Sequence, residues 1–190
     1  MITYGIVIEG SYDEAVLTEL IKKCLPNEIE IIPRLCGGES LLMKRFPGFL
    51  KEFCYVKEGS HVDKAFVIRD ADNKDPHELL EKLRNTIKDR SLTFEVKFVI
   101  IIQELEAWLL ADEEAISRVT QSRSGRTVSK VKEDLESIAE PKEKLKEILS
   151  NAKVPYTAEV AREIAKESDL SKIENRCPGF KEFRQNIIDC

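Results

Sequence analysis

Phe94-Glu95-Val96-Lys97-Phe98-Val99-Ile100-Ile101-Ile102 is the stretch on which the fold turns. Residues 98–102 are continuously apolar, the pattern of a strand covered on both faces, and such strands belong to parallel sheets packed between helices. At five residues, this longest apolar run is far too short to span a membrane. Upstream, residues 3–8 form a second apolar run rich in β-branched side chains, and residues 65–68 a third. Residues 28–32 alternate like a strand, which Pro33 is expected to end. Helical patterns fill the gaps. Residues 12–24 carry Ala15, Leu17, Leu20, Ile21 and Cys24 on one broad face, with Ser11 expected to cap and Glu14 to reach back. A second helix opens after Gly37-Gly38 at residue 39, and Pro47-Gly48 is expected to kink or divide it before it resumes to about residue 55. Pro76 suits the first turn of a third, reaching about residue 89. Residues 104–110 read as helix directly after the strand over residues 94–102.

The order β-α-β-α-β-α-β-α predicts an α/β fold with a mainly parallel sheet flanked by helices. After Glu113 the strands stop, and residues 141–149, 158–166 and 180–188 read as helix. The chain therefore divides into an α/β domain over residues 1–112 and a C-terminal helical extension or cap over residues 113–190.

A length of 190 residues suffices to bury a core without staples, and 42% hydrophobic with 34% charged residues excludes a disordered chain. Met1-Ile2-Thr3-Tyr4 lacks the basic and apolar segments of a signal peptide, which predicts a cytoplasmic location. Cys24, Cys36, Cys54, Cys177 and Cys190 are odd in number and form no Cys-x-x-Cys, so packed free thiols are expected rather than disulfides or zinc. The net charge of −5 is unevenly spread: residues 1–112 hold 15 basic and 20 acidic side chains, and residues 113–190 hold 15 of each. Within the neutral part, residues 117–132 carry Arg118, Arg123, Arg126, Lys130 and Lys132 with no acidic residue. This stretch reads either as a phosphate-contacting loop, which makes nucleic acid a partner, or as a solvated loop whose charges are met elsewhere in the fold.

In open α/β sheets ligands bind beyond the carboxyl ends of the strands, and the acidic residues fall there. Glu9 follows the first strand, Asp70 and Asp72 the third, and Gln103-Glu104 the fourth. Like charges gathered in one place raise one another's pKa unless a cation is present, so the cluster is costly as pure structure. Oxygen ligands without histidine or cysteine select Mg²⁺ or Mn²⁺ over zinc. If the backbone stays extended, Asp70 and Asp72 point to one side and can share an ion. Glu104 and Glu106 are about 200° apart on a helix and cannot both face it; Glu104, nearer the strand end, is the candidate.

Ile6-Val7-Ile8-Glu9-Gly10-Ser11-Tyr12-Asp13-Glu14 together with Val67-Ile68-Arg69-Asp70-Ala71-Asp72 resembles the signature of the Toprim fold, shared by topoisomerases, bacterial primases, recombination proteins and OLD-family nucleases. The Glu-Gly-x-x-Asp-Glu spacing is most similar to the OLD side of that group, including its short Toprim-like members. Gln103-Glu104-Leu105-Glu106-Ala107-Trp108-Leu109-Leu110-Ala111-Asp112 and Cys177-Pro178-Gly179-Phe180-Lys181-Glu182-Phe183 also fit those short members. The resemblance implies that Glu9 is a metal ligand or general acid/base, that Asp70 and Asp72 are metal ligands, and that Asp13 is a second acidic residue one helical turn beyond Glu9. Asn73 stands where many relatives have glycine, and no Gly-x-x-x-x-Gly-Lys-Ser/Thr occurs, so the ATPase of a full OLD protein is absent and any such partner must be a separate subunit.

Two functions follow as expectations: a Mg²⁺- or Mn²⁺-dependent phosphodiesterase, most simply a nuclease on DNA or RNA in a defence or repair setting, or a catalytically inactive Toprim-like regulatory or assembly subunit working with a separate ATPase. An aspartyl-phosphate receiver would use Asp70 but lacks the paired acid and the later lysine it needs. Trp108 reads as core, Gly37-Gly38-Glu39-Ser40 as a loop and cap with phosphate binding as the alternative, and His61 and His77 as bystanders.

Overall fold

The computed structural model describes residues 2–25, 28–55 and 61–189; Cys190 lies outside them. Strands β1 (Ile2–Ile8), β2 (Ile29–Leu35), β3 (Lys64–Asp70) and β4 (Glu95–Ile101) form one sheet in the order β2-β1-β3-β4, with every neighbouring pair parallel. Helices α1 (Ser11–Cys24), α2 (Glu39–Phe53) and α3 (Pro76–Ile87) connect the strands. Short α4 (Glu106–Leu109) follows β4, and α5 (Glu113–Ser124), α6 (Pro141–Asn151), α7 (Ala158–Glu167), α8 (Leu170–Arg176) and α9 (Pro178–Ile188) complete the chain. This is the α/β class read from the sequence, with helices on both sheet faces and a helical C-terminal segment. Among the described residues no helix is long and apolar enough to cross a membrane.

Alternation along β1 explains the two layers. Tyr4, Ile6 and Ile8 join one apolar cluster, while Val7 joins another with Ala65 and Val67 of β3 and Leu42, Phe46, Leu50 and Phe53 of α2. The first cluster continues without a break from α1 through Trp108 into Phe180, Phe183 and Ile187 of α9. The helical segment therefore shares its core with the sheet. Trp108 is fully buried, with the rings of Phe180 and Phe183 each 5.0 Å away, so the aromatic residues of the 177–183 motif are packing residues for Trp108. Lys23 at the end of α1 donates to the carbonyls of Lys166 (2.8 Å) and Ser168, supplying the last turn of α7 with the donor that a helix C-terminus lacks.

Several local expectations are corrected. Pro33 does not end β2; it pairs opposite Ile6 within it. Edge strands tolerate a missing N–H that faces outward. Pro47 neither divides nor stops α2, because Leu42, Phe46, Pro47, Leu50 and Phe53 anchor one buried face across the position where its N–H is missing. The start of α1 is capped by Gly10 and Asp13, not by Ser11 and Glu14: the Asp13 carboxylate accepts from the Gly10 N–H at 2.8 Å. Val16 takes the buried position assigned to Ala15. Arg118 and Arg123 lie on α5 and not in a loop. The described cysteines are free, with Cys24, Cys36 and Cys177 buried and Cys54 partly so.

Gly5 in β1 is required by packing. A Cβ there would lie 2.6 Å from the Phe53 ring. Gly5→Val is expected to cost about 1–3 kcal/mol by overpacking. Gly48→Ala in α2, where a Cβ meets nothing within 4 Å, should instead stabilise by roughly 0.5–1 kcal/mol. Urea unfolding of both variants checks the opposite signs.

Candidate acidic site at the strand ends

The chain leaves β1 toward β2 on one side and returns to β3 on the other, so the switch point of the sheet lies between β1 and β3. Crevices at such points are where α/β sheets bind ligands. Glu9 stands one residue after β1, and Asp70 is the last residue of β3. Both are partly buried.

Around them the charges of Asp13, Glu39, Asp72, Glu104 and Glu106 act on one another. The Glu9 carboxyl is pushed up to about 7, first by burial and then by the neighbouring charges of Asp13 and Asp72. Asp13 rises to about 6, chiefly from burial and with Glu106 adding to it, although its bond from Gly10 works the other way. Burial and the charges of Asp13, Glu106, Glu9 and Asp72 lift Asp70 well above the usual carboxylate range. Asp72 is raised by burial and by Glu39. Glu104 is raised by burial, with Glu106 and Asp72 adding. The carboxylates expected to gather do so electrostatically.

Asp72 reaches this cluster by a different backbone route from the one expected. The chain is not extended beyond Asp70: Asp72 and Asn73 take left-handed φ values of +47° and +62°, conformations that Asp and Asn tolerate better than most residues. The Ala71 N–H still bonds the Ile101 carbonyl and the Asp72 N–H the Gln103 carbonyl, at 2.9 and 3.1 Å. The turn is thus held against the end of β4. The left-handed Asn73 also supplies the conformation for which glycine is the easier residue.

Glu104 and Glu106 both belong to the site, contrary to the helical-wheel expectation. The helix begins only at Glu106, and Gln103, with φ +61°, turns the chain before it. Glu104 accepts from the Lys142 N–H at 2.8 Å. Glu106 is 5% exposed and accepts from the Tyr156 hydroxyl at 2.6 Å. Lys142, in the first turn of α6, places its ammonium 3.6 Å from Glu106 and 5.4 Å from the centre of the Tyr12 ring. Burial works against that charge, but Glu106, Glu104, Asp13 and Asp70 outweigh it and hold the lysine above its ordinary value. Buried Arg69 and exposed Lys74 both bind Glu39, Arg69 at 2.9 Å. Sequence reading missed Arg69, Glu106, Lys142 and Tyr156. Only Arg69 and Glu106 carried a signal, since each adjoins a motif position.

Seven carboxylates (Glu9, Asp13, Glu39, Asp70, Asp72, Glu104 and Glu106) thus face three cations (Arg69, Lys74 and Lys142). Glu9 Oε1 and Gln103 Oε1 are buried without a hydrogen-bond partner among the described residues. A buried carboxyl oxygen without a donor in an over-acidic crevice is costly unless a proton or a cation meets it. The fit is partial, since among the described residues no group of three His, Cys, Asp or Glu side chains is placed to hold a metal ion as it stands.

Other candidates fall outside the cluster. The N–H groups of Gly37 and Gly38 both donate to the Glu9 carbonyl at 2.9 Å, so they position Glu9. His61 pairs with Asp63 at 2.8 Å, and His77 lines a separate pocket beside β4. Arg123 is held by Glu163 at 2.8 and 2.9 Å and by Glu159 at 3.4 Å, and Arg118 by Glu167 at 2.9 Å. Arg126 donates to the Asn151 carbonyl at 2.9 Å. Lys130 and Lys132 line a pocket with Lys144.

The raised carboxyls fix a pH dependence. A carboxyl whose folded pKa exceeds its unfolded value of 4.5 (Glu9) or 3.8 (Asp13) contributes stability at low pH that is lost as pH rises through about 6 to 7. In EDTA, Glu9→Gln is therefore expected to melt increasingly above wild type between pH 5 and pH 8. A difference in melting temperature that does not change with pH would remove the electrostatic account of Glu9.

No curated protein and no solved structure gives a significant match to the chain. One family does, and it accounts for nearly the whole length, from the last residue of β1 to the end of α9, with the site inside it. Over residues 8–188 the chain belongs to the family described as Domain of unknown function (DUF4276).

Proposed function

We propose that the cluster at the β1/β3 switch point holds Mg²⁺ or Mn²⁺ and that the protein is a metal-dependent phosphodiesterase of the Toprim kind, a cytoplasmic nuclease acting on DNA or RNA in defence or repair. The observation that carries the reading is the unpartnered, buried Glu9 Oε1 among carboxyls raised first by burial and then by one another. Glu9, Asp70 and Asp72 would hold the ion. Asp13 and Glu104 each commit an oxygen to a backbone N–H and would orient the set from its edge. A bound divalent ion supplies charge stabilisation for the attacking and leaving oxygens of a phosphodiester. Glu9 is the alternative candidate for proton transfer should Asp70 and Asp72 hold the ion without it.

One observation favours a second reading. The Lys142 ammonium already lies among Glu104, Glu106, Asp13 and Asp70 and partly neutralises them without a metal. A cluster neutralised from within has less need of an ion, which supports the alternative of a catalytically inactive Toprim-like subunit, one that would work with a separate ATPase.

Metal titration separates the two. Under the nuclease reading Mg²⁺ or Mn²⁺ raises the melting temperature of wild type by mass action, and Asp70→Asn abolishes the rise. Glu9→Gln keeps the fold and lowers Mn²⁺-dependent cleavage of single-stranded or duplex DNA or RNA by on the order of 10²-fold or more. Wild type showing neither thermal shift nor cleavage, alone or with a candidate ATPase, selects the inactive subunit.

A further inference from the structure

Helix α6 carries more cation than the cluster uses. Pro141, Leu145 and Leu149 are its buried ridge. Beside that ridge Lys142, Lys146 and Ser150 follow one another at i, i+4 spacing, and so form a row rising about 6 Å per step. The row begins at the acidic site, where the Lys142 N–H and ammonium contact Glu104 and Glu106. It ends in a pocket of about 370 Å³ lined by Lys146, Ser150, Lys153, Val154, Pro155 and Tyr156.

Tyr156 is the shared wall. Its hydroxyl donates to Glu106 in the cluster while the residue also lines the pocket, and its ring lies 5.3 Å from that of Tyr12, over which Lys142 sits. Lys146 has only the exposed Glu143 as a partner among the described residues, a surface pair of little energetic weight. Lys153 is exposed and takes φ +59°, where glycine or asparagine is the easier residue after a helix end. The chain thus keeps a lysine at a position where the backbone disfavours it, at the mouth of a pocket next to the site.

We infer that this row and pocket form a track for a single nucleic-acid strand: Lys146 and Lys153 hold backbone phosphates, Tyr156 offers a ring to an unstacked base, and the strand runs along α6 toward the carboxylates. The inference rests on the phosphodiesterase reading and names its substrate as single-stranded. A duplex keeps its bases stacked inside and offers phosphates alone, whereas an open depression lined by Tyr156 and Pro155 beside Lys146 and Lys153 can take an exposed base together with its phosphates.

The test is fluorescence anisotropy with the full chain in EDTA, so that no cleavage intervenes, using labelled 12-nucleotide single-stranded DNA, the matching RNA and the DNA duplex. Lys146→Glu with Lys153→Glu is expected to weaken single-strand binding by about tenfold or more. It should also reduce the slope of log K against log salt by about 1.4, two single-strand phosphate contacts being lost. Lys82→Glu on α3 with Lys88→Glu just beyond its end, the same charge change outside the pocket lining, should leave the slope unchanged. Tyr156→Ala, which removes the ring, should also weaken single-strand binding. DNA against RNA reports which sugar the track accepts. Equal binding of duplex, or an unchanged slope in the Lys146/Lys153 variant, overturns the track. A wild type that binds through these residues but never cleaves with Mn²⁺ overturns the nuclease reading alone, and a Lys146/Lys153 variant that cleaves like wild type overturns the track alone.

Discussion

Repulsion among carboxyls gathered at the β1/β3 switch point is the constraint on which the rest of the structure depends. Parallel strands bring Glu9 and Asp70 to one sheet edge, and the turns after β3 and β4 add Asp72, Glu104 and Glu106. Burying negative charge beside negative charge opposes folding, and the raised carboxyls of Glu9, Asp13 and Asp70 register that opposition. The offset comes from elsewhere. Apolar packing runs unbroken from α1 through Trp108 to α9 and clamps the sheet ends from one side, while α2 clamps the other face through Phe46, Leu50 and Phe53.

The helical segment is the means by which the acidic residues are held. Glu104 receives the Lys142 N–H, Glu106 the Tyr156 hydroxyl, and Asp112 the Asp169 N–H and the Lys172 ammonium at 2.8 and 2.9 Å. Glu136 accepts from the Gly179 N–H at 2.8 Å, where a Cβ would lie 2.9 Å from the same carboxylate, so only glycine permits that approach without a shift. Residues after 112 therefore complete the crevice walls. Arg118 and Arg123 take part in the same task at the far side, binding α7 through Glu167 and Glu163. Both pairs lie at the surface, where ion pairs carry little energetic weight. Beside α6, Lys146 and Lys153 line one pocket and Lys130, Lys132 and Lys144 another.

How much of this could be read from the chain follows from range. β1, β3 and β4 were legible from their apolar runs, although β4 is an edge strand whose Phe98 and Ile100 are only partly buried rather than covered on both faces. Glu9, Asp70, Asp72 and Glu104 were legible because each stands at or just beyond the end of such a run. Errors arose where a local rule met a tertiary override. Pro47 breaks a free helix but not one anchored by Phe46 and Leu50, and Pro33 ends a central strand but not an edge one. The geometry of Asp72 depended on two left-handed residues whose φ no pattern reveals. Lys142 and Tyr156 come to Glu106 across 36 and 50 residues of chain, and nothing in their neighbourhoods distinguishes them from any surface lysine or tyrosine.

The cations that do enter the crevice are unequally shared, and this decides where an ion would add most. Arg69 and Lys74 are committed to Glu39 by direct contact, so their effect on Glu9 and Asp72 is indirect. Lys142 sits at the opposite end, against Glu106 and Glu104. Asp70 lies between the two ends and feels Asp13, Glu106, Glu9 and Asp72 together. The least compensated negative potential therefore falls between Glu9 and Asp70, where Glu9 Oε1 has no donor among the described residues. A divalent ion seated there would meet Glu9, which is not among the carboxyls acting on Lys142, whereas one seated at Glu106 would compete with an ammonium held by Glu106, Glu104, Asp13 and Asp70. On the metal reading, an ion and the Lys142 ammonium would therefore occupy different ends of the crevice.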